Sequence, residues 1–154
     1  MTKALAAGIL MCALAAPALF AANVSFLVME TGLPKESASS QYSALWESSL
    51  MDVFFESGHI VSNAPRIRLA RAPDPGEFPP EAETDYADAI VGGMDYFLIA
   101  IVDYSSRDVS LRLFRTRSGD LVAERSHEGC LAASAREETE SVRSAAREMA
   151  ALLR

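Results

Sequence analysis

Few side chains in this sequence could carry out acid–base or metal chemistry. The chain has two histidines, His59 and His127, and two cysteines, Cys12 and Cys130. His127, Glu128 and Cys130 bring a nitrogen, a carboxylate and a sulfur into one short stretch, which could contribute to a metal site or to a small hydrolase with a Cys130 nucleophile and His127 as its base. Because a zinc site needs a further Cys/His pair that is absent here, we expect no metal and no cofactor.

The remaining polar groups are better explained by structure than by catalysis. His59 follows the end of a predicted helix, where the helix dipole favours a partly charged imidazole. Four acids lie close together in the sequence at the start of a second predicted helix: Glu81, Glu83, Asp85 and Asp88. Two of them could form a catalytic carboxylate pair, but their position in the first turns of a helix favours a solvated helix face. The serine-hydrolase, P-loop and dinucleotide-binding motifs are missing. The sequence therefore predicts no catalytic residues.

A group of arginines is the strongest candidate for a binding surface. Arg66, Arg68 and Arg71 lie in the proline-rich segment 64–80, within an otherwise acidic chain. Proline lacks an N–H and disfavours helix in the residue before it, so this segment should be an exposed loop or an excursion at a sheet edge. Exposed arginines on an acidic domain could dock an anionic partner.

The elements that must position these groups can be read from hydrophobic spacing. Alternation over 23–30 and a short run over 59–62 predict strands. A stripe at spacings of three and four predicts a helix over 40–57, and a second helix should begin at Pro80 and end at Gly92, with Ile90 on its apolar face. The uninterrupted apolar run within 95–104 predicts a central strand covered on both faces.

The C-terminal part continues with a meander and a helix. Val109, Leu111 and Leu113 alternate with Ser110 and Arg112, which is typical of a half-exposed strand, and a turn around 118–120 leads to another strand over 121–126. A final helix should begin near 134 with a capping box. The prediction is an α/β (α+β) fold with a single mixed sheet, in the order β-α-β-loop-α-β-β-β-α, with helices packed on the sheet.

The N-terminus indicates export. Lys3 is followed by an uncharged apolar run over 4–22 with small residues near its end, which is the layout of a secretory signal peptide. A retained membrane anchor is the alternative. We therefore divide the chain into a signal peptide at 1–22 and one envelope domain at 23–154, and expect a periplasmic or secreted protein that meets a membrane only through an uncleaved N-terminal segment.

Composition narrows the classes of partner. With 14 Lys+Arg against 21 Asp+Glu, the net charge is −7, which disfavours binding to a nucleic-acid backbone. Half of the residues are hydrophobic, as expected of a chain with a substantial core.

Four segments in order resemble a group of small bacterial envelope domains: FFESGHIVS at 54–62, AIVGGMDYFL at 89–98, VSLRLF at 109–114 and TRSGDLV at 116–122. The chain resembles the penicillin-binding-protein activator lipoproteins, the curli-secretion lipoprotein and the N-terminal domain of the Tol-Pal translocation protein. The resemblance implies a non-enzymatic docking or assembly module. We therefore expect an exported, non-catalytic module that acts on another envelope protein in cell-wall synthesis, secretion or surface-appendage assembly. The alternatives are a small metal-dependent or cysteine hydrolase that uses His127 and Cys130, and a small-ligand carrier.

Overall fold

The computed structural model describes residues 21–33, 41–128 and 134–153. In these ranges the chain forms β1 (Asn23–Thr31), α1 (Gln41–Glu56), β2 (Ile60–Asn63), β3 (Ile67–Arg68), α2 (Glu83–Val91), β4 (Tyr96–Asp103), β5 (Asp108–Arg115), β6 (Leu121–His127) and α3 (Ala135–Ala150). Short 3₁₀ turns precede α2 at Pro80–Ala82 and follow α3 at Ala151–Leu153. Of the predicted signal peptide, only Ala21 and Ala22 fall within the described ranges, and Cys12 and Cys130 both lie outside them.

The six strands form one mixed sheet in the order β2-β1-β4-β5-β6, and β3 lies beside β1 beyond the end of β2. β1 is parallel to β2, β3 and β4, whereas β5 is antiparallel to both β4 and β6. The predicted fold class and the predicted order of elements are confirmed. The short strand β3 is an addition to that order.

β4 occupies the middle of the sheet, as its sequence predicts. Its apolar side chains alternate between the two faces, and all are buried: Phe97, Ile99 and Ile101 on one side, Leu98, Ala100 and Val102 on the other. A strand that is apolar on both sides needs a cover on each face. The helices and the proline-rich segment supply these two covers.

Helices α1 and α3 pack on one face of the sheet and enclose the larger core. Trp46, Leu50 and Phe54 of α1 are fully buried there, as the predicted stripe requires. Ser134 accepts a hydrogen bond from the backbone N–H of Glu137, and the Glu137 side chain accepts one from the Ser134 N–H, which confirms the capping box of α3.

The opposite face is covered by α2 and by the chain that leads to it. Phe78 lies against Phe114 and Tyr86, with ring centroids 5.1 and 4.9 Å apart. The expectation that Ile90 belongs to the apolar face of α2 is wrong, because its side chain is 48% exposed near the end of the helix. Ala89 takes the buried position beside it.

Segment 64–80 takes the second of its two expected forms, an excursion at the sheet edge: it contains β3, and Ile67, Leu69 and Phe78 pack against the core on the α2 side of the sheet. The expectation that Arg112 lies on a half-exposed face is wrong, because Arg112 is only 2% exposed. The difference arises because the proline-rich segment folds over the sheet face that bears Arg112.

The two ends of the sheet differ. β1, β2 and β4 all begin at one end, where Ile60 N–H donates to the Ala22 carbonyl and Asp95 N–H to the Asn23 carbonyl. The hairpin between β5 and β6 reaches the same end, since Arg115 lies opposite Tyr96. We call this the strand-start end.

Candidate functional site

Strands β2 and β3 form an edge of the sheet, which we call the β2–β3 edge. Ile60 donates its backbone N–H to the carbonyl of Ala22, directly before β1, at 2.9 Å, and Ala64 donates to the Phe26 carbonyl in β1 at 2.8 Å. In a parallel pair, alternate residues face opposite neighbours, so Val61 and Asn63 direct their backbone polar groups away from β1. In β3, Leu69 N–H donates to the Glu30 carbonyl at 2.8 Å, which leaves the backbone of Arg68 facing outward.

The three arginines predicted as a binding group lie in or close to β3: Arg68 in the strand, Arg66 directly before it and Arg71 three residues after it. Arg66 Nε lies 3.4 Å from a carboxylate oxygen of Glu47 in α1. Arg68 Nε lies 3.4 Å from a carboxylate oxygen of Glu30 in β1. Arg71 is exposed and forms no ion pair with any residue in the described ranges.

The ion pairs are asymmetric in their burial. Side-chain exposure is 30% for Arg66 and 42% for Arg68, but only 18% for Glu47 and 2% for Glu30. The acids are therefore held in the protein while each arginine keeps part of its surface in solvent. Because a partly exposed pair contributes about 0–1 kcal/mol, little stability is lost if Arg66 exchanges its contact with Glu47 for one with a partner.

Glu30 adds a further electrostatic feature. One of its carboxylate oxygens is buried without a hydrogen-bond partner among residues 21–33, 41–128 and 134–153. Arg68 thus lies beside a buried carboxylate, and its charge compensates that carboxylate in the free protein. Substitution of Arg68 would perturb the fold as well as the surface, whereas Arg71 can be changed without that effect.

Arg112 holds the proline-rich segment against the sheet. Its Nη1 and Nη2 atoms donate to the carbonyls of Glu77 and Pro73 at 2.7 and 3.3 Å, and its Nε lies 2.8 Å from Glu124 Oε1. Sequence reasoning missed this role, because alternation places Arg112 opposite Leu111 and Leu113 but does not reveal what covers that face. These three contacts of Arg112, which we call the clamp, fix the chain that follows Arg71.

The histidines lie in separate environments. His59 is buried, and its Nδ1 accepts a hydrogen bond from Ala22 N–H at 3.2 Å. The His127 ring centroid lies 6.0 Å from that of Trp46; burial lowers the pKa of His127, and Glu148 opposes the shift. Cys130 lies outside the described residues, so the pairing of His127 with Cys130 stays a prediction.

The acids around α2 do not form a compact group. Glu81, Glu83 and Asp88 are exposed, which agrees with a solvated helix face. Asp85 is half-buried, and burial together with the Asp88 charge raises its pKa. No group of three metal-ligating side chains lies within 21–33, 41–128 and 134–153.

Surface clefts are present at both ends of the sheet. One of about 350 Å³ lies beside Arg112 and Glu124 and is bordered by Pro73 and Pro75. Another of about 400 Å³ lies at the strand-start end beside Ala22 and Leu153. A small-ligand carrier stays a prediction. No helix among the described residues is long and apolar enough to cross a membrane.

Comparison with known proteins gives matches among solved structures only. No protein-family model and no curated protein sequence matches the chain. A PelC dodecamer from Paraburkholderia phytofirmans is similar at 14% identity and a TM-score of 0.45, over 86% of this chain and 87% of that one. The LpoB C-terminal domain from Salmonella enterica is similar at 11% identity and a TM-score of 0.43, over 70% and 83%.

TolB from Acinetobacter baumannii is similar at 9% identity and a TM-score of 0.43, over 87% of this chain but only 27% of that one. LpoB and TolB belong to two of the groups of proteins that the sequence resembles.

Proposed function

We propose that this protein is an exported, non-catalytic binding module that acts on another cell-envelope protein, in cell-wall synthesis, secretion or surface-appendage assembly. It docks through Arg66, Arg68 and Arg71 on the β2–β3 edge. The observation that supports the proposal most directly is the combination, on one edge, of outward-facing backbone groups and partly exposed guanidinium groups.

The backbone of the edge suits an extended partner segment. Val61, Asn63 and Arg68 present N–H and C=O groups outward, and an added strand can pair with such groups. The interruption between β2 and β3 divides the edge into two short pieces, which limits unselective edge-to-edge pairing. A partner segment would therefore need side-chain contacts as well as backbone hydrogen bonds.

The side chains of the edge define the chemistry of that segment. Guanidinium groups recognise carboxylates through paired hydrogen bonds. Because the chain as a whole carries a net charge of −7, an acidic partner is repelled from most of its surface and attracted only where arginines gather. We therefore expect an acidic extended segment.

The envelope location is supported by the N-terminal sequence. The apolar run that follows Lys3 is typical of an export signal, and the resemblance described above implies a bacterial envelope module. An exported binding module could meet its partner in the periplasm or outside the cell.

Charge reversal at Arg71 tests the docking edge without disturbing a known ion pair. Envelope extract is passed over immobilised wild-type protein, over Arg71→Glu and over the matched control Arg125→Glu, which makes the same charge change at an exposed position of β6. We expect a protein that is retained by wild type and by Arg125→Glu. Its affinity for Arg71→Glu should be lowered about tenfold or more, which corresponds to a loss of about 1.4 kcal/mol of binding free energy.

The retained protein is then titrated against all three forms at two salt concentrations. Binding through Arg71 should weaken with added salt, because exposed charges are screened. Equal binding of Arg71→Glu and wild type would contradict the proposed edge. Failure to retain any protein would contradict the binding function itself.

A further inference from the structure

The exposed large apolar side chains of the described residues are all located at the strand-start end. Phe55 lies in the last turn of α1, Ile90 and Val91 at the end of α2, and Leu152 in the turn after α3. The strands contribute Ile60 at the start of β2 and Leu121 and Val122 at the start of β6.

The degree of exposure is large for residues of this type. Val91 is 88% exposed, Phe55 70% and Ile60 59%. Single exposed apolar residues are ordinary on a soluble domain, but a concentration of them at one place marks a surface that meets a membrane or another protein.

The cleft at the strand-start end adds polar groups to the same end as the seven exposed apolar side chains, which we call the apolar ring. Its lining includes Ala22, Tyr96 and Leu153, the carboxylate of Asp95, which accepts a hydrogen bond from Asn23 N–H, and two arginines, Arg115 and Arg117. The two arginines are exposed and form no ion pair with a described residue. Tyrosine and arginine beside apolar side chains are the composition expected where a protein meets lipid headgroups.

The path of the chain indicates whether this apolar surface meets a membrane or another protein. Ala22 is buried at the strand-start end, so the apolar run over 4–22 connects to the domain there. Any residues of that run that stay attached bring this end of the sheet, and no other, to a bilayer. From the chain path, the apolar ring and the two arginines, we infer that the strand-start end rests on a lipid bilayer, with the apolar ring in its interfacial region.

This inference goes beyond the proposed function, because it involves no protein partner, and beyond an N-terminal anchor, because it assigns lipid contact to the folded domain. Binding of the domain should be driven by apolar insertion. The guanidinium groups of Arg115 and Arg117 should favour anionic headgroups, in opposition to the net negative charge of the chain.

The test places a fluorescent reporter at each end of the sheet. In the full chain with Cys12→Ser and Cys130→Ser, a single cysteine is introduced as Val91→Cys or as Ser106→Cys, which lies in the exposed turn between β4 and β5. Each is labelled with an environment-sensitive dye and mixed with phosphatidylcholine vesicles, with or without phosphatidylglycerol, and with vesicles that carry brominated acyl chains.

We expect the label at position 91 to shift to the blue with lipid and to be quenched several-fold more strongly by brominated chains than the label at position 106. Adding Phe55→Ser, Ile60→Ser and Leu152→Ser should abolish the shift at position 91 while residues 1–22 stay unchanged. These three side chains are exposed, so the fold should be retained, which circular dichroism can verify.

Two results would overturn the inference. Labels at positions 91 and 106 that respond equally would show that the N-terminal run alone brings the chain to lipid. A blue shift at position 91 that develops without vesicles and grows with protein concentration would assign the apolar ring to a second copy of the chain.

Discussion

Replacement of Arg112 by methionine should destabilise the fold and release the proline-rich segment. Arg112 is 2% exposed and bonds to the Glu77 and Pro73 carbonyls and to Glu124. Methionine keeps an unbranched side chain, so a large cavity is avoided while all three contacts are lost. The experiment therefore reports on the polar contacts more than on packing.

The expected magnitude follows from the partners that are left behind. Removal of one member of a buried ion pair costs about 3–5 kcal/mol. The Glu124 side chain is 25% exposed and can regain contact with water, which favours the lower limit. We therefore expect a loss of about 3 kcal/mol, or a fall of roughly 1.5 M in the urea midpoint for an m-value near 2 kcal/mol/M.

The assay is urea unfolding followed by the fluorescence of Trp46, the single tryptophan, which is fully buried. Arg125→Met is the matched control on an exposed position and should change stability by about 0.5 kcal/mol or less. Glu124→Gln keeps an acceptor for Arg112 Nε and both carbonyl bonds, so its effect should be about 1 kcal/mol.

A second measurement locates the effect in the structure. Trypsin should cleave after Arg71 faster in Arg112→Met than in wild type under native conditions, because the segment beyond it is no longer fixed at Pro73 and Glu77. If Arg112→Met matched Arg125→Met in both urea midpoint and cleavage rate, the clamp would have no energetic role and the argument would be refuted.

Two further predictions concern a turn and a titratable group. Gly32→Ala should destabilise the protein more than Gly76→Ala in urea unfolding. Both glycines have positive φ, but a Cβ at Gly32 would clash with Ser105 Oγ and lie 2.7 Å from the Ser105 backbone nitrogen, whereas a Cβ at Gly76 would have no atom within 4 Å. Equal losses of stability would contradict this prediction. Burial lowers the pKa of His127 from 6.5, so the unfolded chain binds a proton at a higher pH than the folded chain. The free energy of unfolding should therefore fall as pH decreases through about 6.5 and below, and His127→Gln should lose this part of the pH dependence. An NMR titration that gave a pKa above 6.5 for His127 would reverse the sign.

The parts of the fold that the sequence predicts are those whose pattern is local. The run that forms β4, the stripe of α1 and the capping box at Ser134 each contain their own signal, and the structure agrees with them. The alternation of apolar residues sets which face each side chain takes. It does not determine what packs on that face.

The features that sequence reasoning missed depend on contacts between distant segments. From its position in β5, Arg112 is predicted to face solvent, but in the structure the segment that contains Pro73 and Glu77 covers it. The sequence does not reveal that Arg66 pairs with Glu47 and Arg68 with Glu30, because these pairs depend on the placement of the proline-rich segment beside α1 and β1. A two-residue strand among prolines has too few residues to give a periodic signal.

The two proposed surfaces are separated along the strands. Seven residue steps lead from Asn23 to Glu30, opposite which Arg68 lies, a distance of roughly 23 Å at 3.3 Å per residue. A domain resting on lipid at its strand-start end would hold Arg68 and Arg71 well above the headgroups, free to meet a partner. Arg71→Glu should therefore leave the lipid response of a label at position 91 unchanged. A changed response would show that the arginines contact lipid, and the separation of a lipid surface from a protein-docking edge would be wrong.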